Sequence, residues 1–148
     1  MRKLSLILLA AMAAVGAPAW GAPFAVLYAE DDNIAAVDLA TVETTGSLAR
    51  YEVVTVQRAP AELAGLELPD EMRHWKETDC AGDRSRLVRM AIRTAGGALE
   101  TPAWAQGEGE WTGIDPREQR LVCEKARART RYANLDELRA ALGLPSAD

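Results

Sequence analysis

At Asp115 the chain changes its period, and that change limits what it can fold into. Upstream, "LARYEVVTVQRA" (48–59) is dense in Val, Thr and Tyr, side chains that favour a pleated, packed surface. "RSRLVRMAIRT" (84–94) alternates. Val88, Met90, Ile92 and Thr94 share one face, and Arg89, Ala91 and Arg93 share the other. Period two with Arg on the wet side is the pattern of a half-exposed antiparallel strand. Downstream, "GIDPREQRLVCEKARAR" offers Asp115 as a helix cap, Pro116 at the first helical position and Glu118 three residues after the cap. A second helix opens at Asn134, with Glu137 three later, a Leu135, Leu138 and Leu142 stripe, and Gly143 as the stop. Strands first and helices last predict an α+β domain. Its antiparallel sheet would have about five to six strands, with the C-terminal helices packed on one face.

The remaining strands follow from local composition. "PFAVLYAED" and "NIAAVDL" read as a hairpin around the turn residues "EDDN", with Phe24, Val26 and Tyr28 on one face. "ATVETTGS" reads as a turn-rich connector ending at Gly46. "PAELAGLELPDE" reads as a loop holding at most one helical turn. "MRHWKETDC" reads as a strand joined to "RSRLVRMAIRT" through "AGD"; "AGG" at 95–97 is a further hairpin turn, and "ALETPAW" a further strand.

The first two dozen residues set the compartment. Arg2 and Lys3 precede an apolar run, Leu4 to Val15, broken only by Ser5; Ala17, Ala19, Gly21 and Ala22 follow. This is the layout of a secretory signal peptide, with cleavage expected between Ala19 and Ala22. Spanning a bilayer takes about 20 apolar residues, more than this run supplies. The expected organisation is a signal peptide over 1–21 and a single domain over 22–148. The region has no cysteine for lipid attachment, so the mature chain is expected to be soluble, in a periplasm or secreted.

Export changes the meaning of the two cysteines. Cys80 and Cys123 lie 43 positions apart and allow one intramolecular pairing. Oxidising compartments let disulfides persist. A zinc site usually needs three or four ligands, often in close pairs, yet the chain has no CxxC and His74 is its only histidine. A thiol nucleophile needs a base at its side, and His74 would stand roughly 20 Å from Cys80 along an extended strand. A Cys80–Cys123 staple is the expectation.

With 17 basic and 22 acidic side chains, the chain is a poor candidate for nucleic acid, which needs a basic face. One segment runs against that balance: "EKARARTR" carries Lys125, Arg127, Arg129 and Arg131. On a continuing helix, 125 with 129 and 127 with 131 would be neighbours, a patch for an anion or a partner such as a glycan or lipid headgroup. A solvated helix face would use the same residues. His74 and Trp75 read either as a pocket or as one residue on each face of a strand. Trp104 and Trp111 flank "AQGEGE" as a ligand-gripping loop or as hairpin anchors. Asp79 and Asp83 beside Arg84 and Arg86 read as ion pairs at a turn. No GxSxG, HExxH, P-loop or Rossmann fingerprint is present, so the sequence points away from an enzyme and from any cofactor or metal.

The order "DC…R…L", then "W-x-x-I-x-P" and a second Cys, resembles the surface-adhesin protein E-like family of Gram-negative bacteria. The matching residues are Asp79, Cys80, Arg86 and Leu87, then Trp111, Ile114, Pro116 and Cys123. "Y…VDLATV…G", through Tyr28, Asp38 and Gly46, is similar to that family's N-terminal hairpin and connector. The resemblance spans roughly residues 24 to 124. It implies a small exported α+β domain with one disulfide, acting by binding protein partners, with homodimers among its forms. One member is an outer-surface lipoprotein that binds host matrix and serum proteins. This chain lacks the lipidation cysteine and continues past Cys123. The expected function is a non-enzymatic exported domain that recognises a macromolecule through its surface. The alternative is a periplasmic structural or accessory protein that docks on an envelope component through its C-terminal helix.

Overall fold

Beta-branched runs and turn residues place the strands where alternation predicts them, and the exceptions decide the architecture. The computed structural model describes residues 22–59, 68–94 and 97–147. Its elements are β1 (Phe24–Ala29), β2 (Asn33–Thr45), β3 (Leu48–Gln57), β4 (Pro69–Asp79), β5 (Arg84–Thr94), a 3₁₀ turn (Ala103–Ala105), β6 (Thr112–Gly113), α1 (Pro116–Val122), β7 (Arg131–Tyr132) and α2 (Leu135–Ala140). The strands form one antiparallel sheet in the order β6-β5-β4-β3-β2-β1-β7. The sheet has seven strands rather than five to six, because β6 and β7 are two-residue edge pieces too short to leave a pattern. The leader expected over 1–21, the helical turn expected in "PAELAGLELPDE" at 60–67 and part of the "AGG" turn lie outside the described residues.

The α+β class stands, but the helices divide between the two faces. Cross-strand partners share a face. Ala35 and Val37 of β2 pair with Thr55 and Val53 of β3, and with Ala25, Ala49 and Tyr51 they pack under Leu121 and Val122 of α1. Ile34 and Ala36 pair with Val56 and Val54 and pack under Leu138 and Leu142. Both faces are therefore covered over Ile34–Val37 of β2 and Val53–Val56 of β3, and these stretches read as near-continuous apolar runs. Leu138 is fully buried. Its truncation to Ala would cost about 2–5 kcal/mol.

Bulges account for most other departures. Leu27 is an extra residue between Val26↔Ala36 and Tyr28↔Ala35, so Tyr28 moves off the face of Phe24 and Val26 onto the α1 face. Val88 is likewise extra between Trp75↔Arg89 and Lys76↔Leu87, which swings Leu87 to the α1 face. "ATVETTGS" is not a connector: β2 runs through it to Thr45 after a break between Asp38 and Glu43, held where the Glu52 N–H donates to Thr41 Oγ1 at 2.9 Å. The tight turn falls at Gly46, in the left-handed region at φ 61°. "ALETPAW" makes only a single bridge, Glu100 to Ile92, and then enters the 3₁₀ turn. Pro102 cannot donate to a ladder, which limits that segment.

Candidate functional site

α1 begins as its sequence predicts. Asp115 Oδ1 accepts the backbone N–H of Arg117 at 2.8 Å and of Glu118 at 3.3 Å, and Pro116 starts the helix. The reciprocal half of the capping box does not form. Glu118 turns inward: its carboxylate accepts from Tyr51 Oη at 2.5 Å and from Lys76 Nζ at 2.7 Å, and Tyr51 Oη is 2.7 Å from Thr78 Oγ1. Burial, reinforced by the Glu118 carboxylate, pushes the Tyr51 phenol far above its ordinary value and keeps it neutral. Glu118, Leu121 and Val122 thus face the sheet, and the helical spacing sends Arg117 and Arg120 outward, where both are exposed.

The helix stops at Val122, against the expectation that it runs on through Arg129. Cys123 caps it and is bonded to Cys80, with a Cα–Cα distance of 5.6 Å. Lys125 takes a left-handed φ of 52°, and the N–H groups of Glu124 and Ala126 satisfy the last carbonyls through Gln119 and Arg120. Ala128 packs onto the core of the α1 face, the Val26 N–H donates to the Thr130 carbonyl at 3.0 Å, and Arg131 and Tyr132 pair with Ala25 and Phe24. Residues 123–131 therefore form an arch, bonded covalently at one end and paired as a strand at the other.

Under the arch lies a cavity of about 570 Å³, lined by Val26–Ala29 of β1, by Arg117, Arg120 and Leu121 of α1, and by 126–130 of the arch. Of the patch read from the sequence, Arg127 and Arg129 line this groove. Lys125 is exposed at the bend, and Arg131 is half-buried in β7. The 125/129 and 127/131 helical pairings do not exist, because the segment is not helical. Arg117 and Arg120 take their place. Among the described residues no carboxylate forms an ion pair with Arg117, Arg120, Arg127 or Arg129. Tyr28, 40% exposed, sets an aromatic ring beside them. A signal for the two extra arginines was available: outward positions of a capped helix with Glu118, Leu121 and Val122 inward leave 117 and 120 on the solvent side.

A second cavity of about 350 Å³ lies on the α1 face among Leu27, Tyr28, Val53, Thr55, His74, Lys76, Leu87, Asp115 and Glu118. Burial holds the His74 imidazole below its ordinary value, and Lys76 adds to this while Glu118 opposes it. Both carboxylates here are engaged, Asp115 as the helix cap and Glu118 by Tyr51 and Lys76. Trp75 lies on the other face under the Arg89 guanidinium, 3.7 Å from its centroid, so the two residues split between faces.

The opposite face carries a lattice of charges that sequence reasoning missed. Glu71, fully buried, is 2.8 Å from Arg73 and within reach of Arg93 and Arg139, and Arg139 of α2 donates to Asp70 at 2.7 Å. Glu77 accepts from Arg50 and Arg86, and these bonds hold its carboxyl below the usual range. Arg84 pairs with Asp79, as the turn pattern predicts, and Asp83 accepts from Gln119 instead of joining them. Trp111 is held beside Arg84 and Arg86, 4.9 and 4.7 Å from its centroid, as an anchor, whereas Trp104 is 73% exposed.

No family model and no curated protein matches the chain. Among solved structures, it is similar to protein E from non-typeable Haemophilus influenzae, at 15% identity and a TM-score of 0.44, over 73% of this chain and 80% of that one. Likeness at that level assigns neither family nor function.

Proposed function

We propose that the chain is an exported, non-enzymatic binding domain that holds an anionic macromolecule in the arginine groove between α1, β1 and the 123–131 arch. One observation carries the reading: four arginines line a single groove of an acidic chain, and among the described residues no carboxylate is ion-paired to them. Cationic side chains left without counter-charges around a concave surface raise the local concentration of anions there. The Cys80–Cys123 bond supports export, because such bonds persist in oxidising compartments, and so does the leader-like pattern of residues 1–21. The alternative of docking through the C-terminal helix has less support, since Leu138 and Leu142 are buried against the sheet and not presented.

The test is a paired pull-down from envelope extract, using oxidised wild-type protein and the variant R120S/R127S/R129S. The expected outcome is a salt-sensitive capture by wild type that the variant loses at an unchanged melting temperature. Identical capture by both proteins removes the groove from the function.

A further inference from the structure

The geometry points to an acidic, extended peptide segment as the occupant of the groove, added as a strand to the open edge of β1. This rests on the reading above that the groove holds an anionic macromolecule, and it names the class. The two sheet edges are treated differently. Along β5 the edge is closed almost throughout: β6 pairs with Arg84 and Ser85, the Gly109 N–H donates to the Leu87 carbonyl, Gln106 bridges Arg89, and Glu100 and Ile92 exchange two backbone bonds. At the other edge, β7 covers Phe24 and Ala25, Thr130 takes the Val26 N–H, and the arch then turns away. Among the described residues no strand runs beside Leu27, Tyr28 and Ala29 on the side away from β2. The arginine groove is the wedge left by that departure, and Val26–Ala29 form one of its walls.

Two properties of the wedge select its ligand. Its open wall is polypeptide backbone, and extended peptides gain affinity from such an edge through main-chain hydrogen bonds. A sulfated glycan or a lipid headgroup can meet the arginines but has no ladder to offer the edge. Leu27, Tyr28 and Ala29 carry no charge and no proline, the devices that usually blunt an exposed edge. What touches it is the Arg117 guanidinium, at 3.4 Å from the Leu27 carbonyl, from an exposed side chain that can swing aside. An added strand would turn every second side chain to the α1 face, toward Tyr28 and Arg120 and the Arg127 and Arg129 of the arch, and the others to the apolar face of Phe24 and Val26, so the fitting sequence alternates acidic with apolar residues.

The experiment titrates the full chain, exported and recovered oxidised, with four probes at low ionic strength: a blocked peptide alternating Glu and Val, the same peptide methylated on alternate backbone nitrogens, its Lys–Val counterpart, and phosphatidylglycerol vesicles. The Glu–Val peptide is expected to bind and to slow amide exchange at Leu27–Ala29. Backbone methylation is expected to weaken binding by about tenfold or more, since it removes ladder donors and keeps every charge. The Lys–Val peptide is expected not to bind, and R120S/R127S, both at exposed positions, to lose the Glu–Val peptide while keeping the wild-type melt. Equal binding of the methylated peptide, or unchanged exchange at Leu27–Ala29, overturns strand addition. Vesicle binding that R120S/R127S abolishes, without peptide binding, overturns the peptide and leaves the anion groove standing. Failure of every probe removes both.

Discussion

Tyr51 is the residue on which the α1 face closes. It is 2% exposed, and its hydroxyl joins Thr78 on the neighbouring strand to Glu118 on the helix. Tyr51→Phe keeps the ring and removes that link, leaving the Thr78 hydroxyl buried and the carboxylate with Lys76 alone. A loss of about 1–3 kcal/mol is expected in urea unfolding; no change would mean that water replaces the hydroxyl. His74 makes a second residue-scale claim. Its folded pKa lies below the ordinary 6.5, so the unfolded chain binds a proton that the fold refuses. Its contribution is complete above that value and is lost as pH falls below it. Glu52 acts in the opposite direction, because burial raises its carboxyl and its ionised form costs stability as pH rises. The measurement is therefore a difference: His74→Gln should show a shallower fall in stability than wild type between about pH 7 and about pH 5. Parallel curves would remove His74 as the cause.

The elements separate what the sequence could announce from what it could not. The β4–β5 hairpin around "AGD", the central β3 and the caps at Asp115 and Asn134 were legible because each is signalled locally. Asn134 Oδ1 does accept the Glu137 N–H at 2.9 Å. Gly143 stops the second helical segment at φ 68°, with bonds from Gly143 to Ala140 and from Leu144 to Arg139. The end of α1 was not legible. "EKARAR" is built from good helix formers, and only tertiary forces, the bond at Cys123 and the pairing of β7 with β1, draw it out of the helix. The single-residue bulges at Leu27 and Val88 leave no mark in composition, yet each reverses a face. The disulfide was legible by elimination and predicts a measurable cost. Cys80→Ser and Cys123→Ser should each lower the melting temperature by several degrees, about 2–4 kcal/mol, and the double variant should cost little more than either single one. An unchanged melt would show that the bond carries no stability.

At the scale of the molecule, the segment from α1 to α2 is a clasp. It runs from α1 on one face, passes round the sheet edge as the arch and β7, and reaches α2 on the other face. Sequence reasoning put both helices on one face because strands first and helices last is the order of an α+β domain with its helices segregated to one side of the sheet. What it lacked was the edge pairing of Arg131 and Tyr132, two residues with no strand pattern of their own. The charge lattice escaped for a related reason, since Arg139 reads as a solvated helix residue until Asp70 and Glu71 are placed beneath it. Truncation after Thr130 should therefore be severe. It strips β7 and α2, uncovers Ile34, Ala36, Val54 and Val56, and leaves Asp70 and Glu71 without Arg139. Loss of the cooperative thermal transition is the expected result, and a truncated chain melting like the full one would show that the clasp is dispensable.

The arch that bears Arg127 and Arg129 is immobilised at both ends before any ligand arrives. In the binding proposed for this groove, a guest closing on those guanidinium groups would meet a segment that gave up most of its freedom when the chain folded, so little ordering would remain for the encounter. For the recognition proposed at this groove, the same tether predicts a dependence on sulfur chemistry: a mild reductant, altering no arginine, should loosen the grip by freeing one pier of the bridge.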